Sequence, residues 1–88
     1  MSLNSIVSNI SMVEIENTQI FPNPGNDYVQ INGLAKDIKQ VIIYDVEGKN
    51  VYQQHGTQPI NVTLLNSGVY FVKVITEQFS FSKKWVKN

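Results

Sequence analysis

The chain has 88 residues, 42% of them hydrophobic, which allows one domain with one core and is too apolar for a disordered tail. Seven lysines balance seven acidic residues and arginine is absent, so the basic, guanidinium-rich surface that reads duplex DNA is missing and no nucleic-acid partner is expected. Cysteine is absent as well, which excludes disulfides, Cys-ligated zinc, iron–sulfur clusters and thiol nucleophiles.

No apolar run approaches the ~20 residues that span a bilayer, so no integral membrane segment is expected. The N-terminus lacks the basic start and apolar stretch of a signal peptide. Met1-Ser2-Leu3 reads as a start codon and cloning scar, and the chain as a piece of a longer protein whose export signal lies upstream. Residues 1–16 are read as scar, Ser/Asn-rich linker and possible leading strand, and residues 17–88 as the folded domain.

Turn residues recur at short intervals between segments rich in Val, Ile, Tyr and Phe, a spacing that predicts an antiparallel sandwich. Met12 to Glu16 is the first strand candidate, followed by Ile20-Phe21, where Pro22 and Pro24 interrupt pairing because they lack N–H donors. Asn23 between them is expected to bond its own backbone. Tyr28 to Asn32 comes next and ends at Gly33. Lys39 to Val46 follows, its Val41-Ile42-Ile43-Tyr44 run suiting a strand buried on both faces. Glu47-Gly48-Lys49 turns the chain into Val51 to Gln54, a hairpin pattern. Ile60 to Leu64 alternates cleanly. Asn66-Ser67-Gly68 leads into Val69 to Thr76, and the Glu77-Gln78 connection into Phe79 to Val86. Gly48 and Gly68 are placed where turns need a positive φ. The fold class is all-β, an immunoglobulin-like antiparallel β-sandwich of about seven strands.

Chemistry is sparse. His55 is the sole imidazole and reads as a solvated loop residue beside Gly56; no serine sits in a glycine-flanked elbow, so no catalytic triad is expected. The acids Glu14, Glu16, Asp27, Asp37, Asp45, Glu47 and Glu77 could supply a carboxyl pair, but several lie at or next to turns, and a chain this short leaves little room for a cleft. Asp27, Asp45 and Glu47 have the residue types of calcium ligands without a matching spacing, and Asp45 to Gly48 is better explained as turn chemistry. Five single glycines make no phosphate-binding loop. No catalytic residue, cofactor or metal is expected.

The aromatics leave two readings: a core, or a sugar-stacking or protein-binding face. Alternation in the strand from Val69 puts Tyr70, Val72 and Val74 on one side and Val69, Phe71, Lys73 and Ile75 on the other. The charge marks the second side as outer, so the first is the core. Trp85 is the aromatic whose place the pattern fixes least.

Three boxes in order resemble the C-terminal sorting domain of the type IX (Por) secretion system of the Bacteroidetes. Ile20-Phe21-Pro22-Asn23-Pro24 with Val29-Gln30-Ile31 resembles the opening Pro-Asn-Pro box. Val41 to Val51, with Tyr44, Asp45 and Gly48, is similar to the central box. Leu65 to Val74, with Gly68 and Tyr70, resembles the third. Lys83-Lys84-Trp85-Val86-Lys87 fits the family's lysine-containing last strand. The resemblance covers residues 20–88 and lacks no box; residues 4–19 fall outside it.

The resemblance implies an address rather than an enzyme. In that family the parent protein crosses the inner membrane by a separate signal, and the outer-membrane translocon then recognises the folded C-terminal domain. In many members a sortase-like cysteine protease removes the domain and the cargo is joined to anionic lipopolysaccharide. The implied partners are that translocon, the protease and an upstream cargo domain; the implied location is the periplasm in transit, then the cell surface or medium. Cleavage is expected in the Ser/Asn-rich residues 4–19. Gly68, Tyr70, Lys83, Lys84 and Lys87 are the candidate recognition residues. Two readings of the lysines stand side by side: steering toward an acidic partner, or protection of an edge strand from aggregation. Pro22, Asn23, Pro24, Tyr44, Asp45 and Gly48 are read as specifying the fold. The main competitor is a fibronectin-like adhesion or carbohydrate-binding module with Tyr52, Phe81 or Trp85 as an exposed stacking row, and a purely structural spacer is the third reading.

Overall fold

Prolines, glycines and short polar side chains cut the chain into β-prone segments, and among the described residues seven of these are strands. They are β1 (Gln19–Phe21), β2 (Tyr28–Asn32), β3 (Ile38–Tyr44), β4 (Asn50–His55), β5 (Ile60–Asn61), β6 (Gly68–Thr76) and β7 (Ser80–Lys87). The computed structural model describes residues 15–33, 37–56 and 59–88. Every neighbouring pair is antiparallel, and the strands form two sheets, β1-β2-β5 and β4-β3-β6-β7. The fold is the all-β sandwich the sequence predicts.

The core lies between the sheets and is supplied chiefly by inward residues of β1, β2, β3, β5, β6 and β7, with β4 adding only the partly buried Val51 and Tyr52. Val29, Val41, Ile43, Ile60, Val62, Val72, Val74 and Trp85 are almost wholly buried, each aliphatic one contributing roughly 1.5–3 kcal/mol of transfer free energy. Tyr70, Val72 and Val74 are the inner face of β6, as their alternation indicates. In β3, however, Val41 and Ile43 are buried while Ile42 and Tyr44 are only half-buried. The expectation of burial on both faces is corrected: only one face of this sheet meets the other sheet.

Local chemistry sets the strand ends. The Asp45 carboxylate accepts hydrogen bonds of 2.9 Å from the N–H groups of Glu47 and Lys49, and Gly48 takes a φ of 84°, a left-handed conformation that favours glycine. Strand β3 therefore stops at Tyr44, and Asp45 and Val46 belong to the turn. The Thr76 hydroxyl plays a similar part between β6 and β7, accepting from the N–H groups of Gln78 and Phe79.

Two further boundaries differ from the sequence reading. Of the leading strand Met12 to Glu16, residues 12–14 lie outside the described residues, while residues 15–17 form a helical turn closed by Thr18 N–H on the Ile15 carbonyl. The strand predicted over Ile60 to Leu64 ends at Asn61. There the Asn61 side-chain oxygen accepts from both the N–H and the hydroxyl of Thr63, a local turn that outcompetes the sheet ladder. Val62 still enters the core, but Leu64 turns outward. His55 is the last residue of β4 rather than a loop residue, and it is exposed, as expected.

Candidate functional site

The last strand, β7, is an edge of the four-stranded sheet and the segment between β1 and β2 crosses its outer rim. Pro22 and Pro24, both following cis peptide bonds, cannot extend β1 as a strand. The chain instead runs beside residues 85–88. Gly25 N–H donates to the Val86 carbonyl at 3.0 Å and Asn88 N–H to the Gly25 carbonyl at 2.8 Å. Val86 N–H donates to the Asn23 side-chain oxygen at 3.1 Å. Asn23 thus holds the last strand rather than its own backbone, a correction to the sequence reading.

Trp85 is the centre of this junction. Its ring is fully buried, its Nε1–H donates to the Pro22 carbonyl at 2.8 Å, and it packs against Tyr70 with ring centroids 6.0 Å apart. Gly25 is the enabling residue. A Cβ there would lie 2.9 Å from both the Pro22 carbonyl oxygen and Trp85 Cζ2, so only glycine lets the backbone come this close. Sequence reasoning passed over Gly25 and left Trp85 undecided. The available signal was a glycine directly after the Pro-Asn-Pro run.

Of the five candidate recognition residues, the register brings Gly68 opposite Lys87 and Tyr70 opposite Trp85. Tyr70 is buried and its hydroxyl donates to the Asn66 carbonyl at 2.7 Å. A tyrosine at the start of the sixth strand, bonded four residues upstream, is the tyrosine corner of immunoglobulin-like sandwiches. Tyr70 therefore shapes the strand entry from within. Gly68, at a φ of 152°, starts that strand.

The three lysines do not form one cluster. Lys83 and Lys87 lie opposite Val72 and Gly68, on the Trp85 side of β7, whereas Lys84 lies opposite Phe71 on the outer face. Lys83 Nζ donates to the Thr18 carbonyl at 2.7 Å, tying β7 to the start of β1. Lys84 is the exposed one. Between the edges of β1 and β7 runs a groove of about 340 Å³ lined by Thr18, Gln19, Ile20, Phe21, Lys83 and Lys84 among others. Residues 80–84 have no second strand along their outer rim among the described residues.

The stacking row of the competing reading is not built. Trp85 is buried, and Tyr52 and Phe81 are half-buried against the core. The Asp45 carboxylate is engaged in its own turn, and no group of three or more His, Asp or Glu suited to a metal occurs among the described residues. No helix of the described residues is long and apolar enough to cross a membrane.

Residues 19–88 match the family model of the secretion system C-terminal sorting domain (Por_Secre_tail), which bears out the resemblance drawn from the three boxes. No curated protein matches the chain.

Proposed function

Because this chain belongs to the family of type IX secretion system C-terminal sorting domains, a non-catalytic family whose members mark proteins for export to the cell surface or medium, we propose that residues 17–88 are the address read by the outer-membrane translocon. The family match carries the reading; the packing of the domain suggests how the address is displayed. The cargo lies upstream and reaches the translocon by way of the periplasm. A sortase-like protease cuts within residues 4–19, ahead of the address that starts at residue 17, and the cargo is joined to lipopolysaccharide, so the domain itself needs no catalytic group.

In this reading the translocon meets the β7 edge. The open rim of residues 80–84 offers backbone donors and acceptors for strand addition, and the exposed Lys84 supplies positive charge for docking on an acidic surface. Gly68, Tyr70 and Lys83 contribute by fixing where that edge stands. The test is export of a fluorescent protein that carries a signal peptide and this chain at its C-terminus, in a bacterium with a working type IX system. Reporter at the surface or in the medium, lost when β7 is deleted, supports the reading. Reporter held in the periplasm, with the domain shown to be folded, refutes it.

A further inference from the structure

The two long edge strands of the four-stranded sheet are unlike. β7 carries three lysines and has its final residues covered by the segment of Asn23 and Gly25. β4, Asn50–His55, has no Lys, Asp, Glu or Pro, and no strand lies along its outer rim among the described residues. Edges are normally protected by charge, proline or a covering segment, and an uncharged one is a template for another strand. Beside β4 is a groove of about 310 Å³ lined by Val51, Tyr52, Asn61, Thr63, Leu64 and Leu65. On its lip Leu64 is 97% exposed, while Val51, Tyr52 and Leu65 are half-buried.

Three observations select the occupant. The edge and the groove hold no formal charge, so a strongly acidic or basic partner finds no complementary charge there. The formal net charge of the chain is +0, so two copies approach without long-range repulsion. Groove and protruding leucine sit together, and a two-fold interface requires one patch that carries both halves of its contact.

We propose that two copies of this chain associate through β4, antiparallel about a two-fold axis. The two four-stranded sheets join into one continuous sheet, and Leu64 of each copy packs against Val51, Tyr52 and Leu65 of the other. Identical uncharged strands place no like charges opposite one another. The β1–β7 side stays open in such a pair, so the proposal stands apart from translocon recognition and does not depend on it.

Sedimentation equilibrium on the 88-residue chain, taken up to about 1 mM, the weak end of specific association, reads this out. A monomer–dimer equilibrium is expected. Gln53→Lys, at an exposed position of β4, sets a lysine near its own copy across the axis and raises the dissociation constant about tenfold. Leu64→Ser raises it too, and because Leu64 is almost wholly exposed the monomer's melting temperature stays unchanged. A chain that remains monomeric throughout leaves the groove to some other uncharged segment and overturns the proposal. So does a dimer whose dissociation constant neither substitution moves.

Discussion

The indole N–H of Trp85 is bonded at 2.8 Å to the carbonyl of Pro22, a residue 63 positions earlier. The opening Pro-Asn-Pro box and the final strand are therefore one structural unit, although they stand at opposite ends of the domain. A lesion in either is felt by both. Deleting the last strand removes the partners of Asn23 and Gly25 as well as the edge itself.

The first prediction follows from that bond. Trp85→Phe removes the donor and part of the ring, and should cost about 2 kcal/mol. Trp85→Ala should cost about 3–5 kcal/mol, a large share of the ~4–13 kcal/mol available to a domain of this length. Urea unfolding followed by tryptophan-independent far-UV dichroism measures both. A loss below about 0.5 kcal/mol for Trp85→Phe would show that the bond contributes nothing net.

Gly25→Ala is the second. The added Cβ meets the Pro22 oxygen and Trp85 Cζ2, each at 2.9 Å, and neither the backbone oxygen nor the packed ring yields freely, so a cost of about 1–3 kcal/mol is expected. Phenylalanine lacks the Cζ2 atom. In the Gly25→Ala, Trp85→Phe double variant one of the two clashes is gone, and the losses should fall short of additive by about 1 kcal/mol. Gly48→Ala has no atom within 4 Å of its Cβ, so it pays only for its φ, about 1–2 kcal/mol. Its loss should add to that of Trp85→Phe without coupling.

These cases show where the sequence is legible. The inner face of β6 is readable because Lys73 marks the opposite side of a period-two pattern. The Asp45 turn is readable because its bonds are made within four residues. Trp85 is not, since its partner is a distant backbone carbonyl without a side-chain signature, and its lysine neighbours give the strand a solvated look. Asn61 misleads in the other direction: Ile60, Val62 and Leu64 alternate as a strand does, but the Asn61–Thr63 bonds end the ladder first. Lys83 and Lys84 look like a cluster as letters, yet adjacent residues of a strand face opposite ways. The β4 edge gives no signal in composition, because an edge becomes visible only once the strand order is known.

The Asp45 turn supplies the third prediction. Asp45→Ala leaves the N–H groups of Glu47 and Lys49 to water and should cost about 1 kcal/mol. Asp45→Asn keeps an acceptor oxygen and should recover most of it. The midpoint in urea should shift at constant slope, since the turn closes a hairpin that is lost only in global unfolding. Equal losses for the two substitutions would sink the explanation, because they would mean that charge rather than the acceptor geometry matters.

The fourth separates recognition from folding. Lys83 and Lys84 are adjacent, but Lys83 Nζ is spent on the Thr18 carbonyl while Lys84 faces outward. Lys83→Met should lower stability by about 1 kcal/mol and reduce export only in proportion to the unfolded fraction, so that lower growth temperature restores it. Lys84→Met should leave the melting temperature within error, because the exposed Lys84 side chain makes no hydrogen bond or ion pair among the described residues, yet reduce export at every temperature if the translocon reads charge on this edge. Export and melting measured on the same two variants decide the matter. Undiminished export of Lys84→Met would remove Lys84 from the address, leaving the backbone rim of residues 80–84 as the feature that is read.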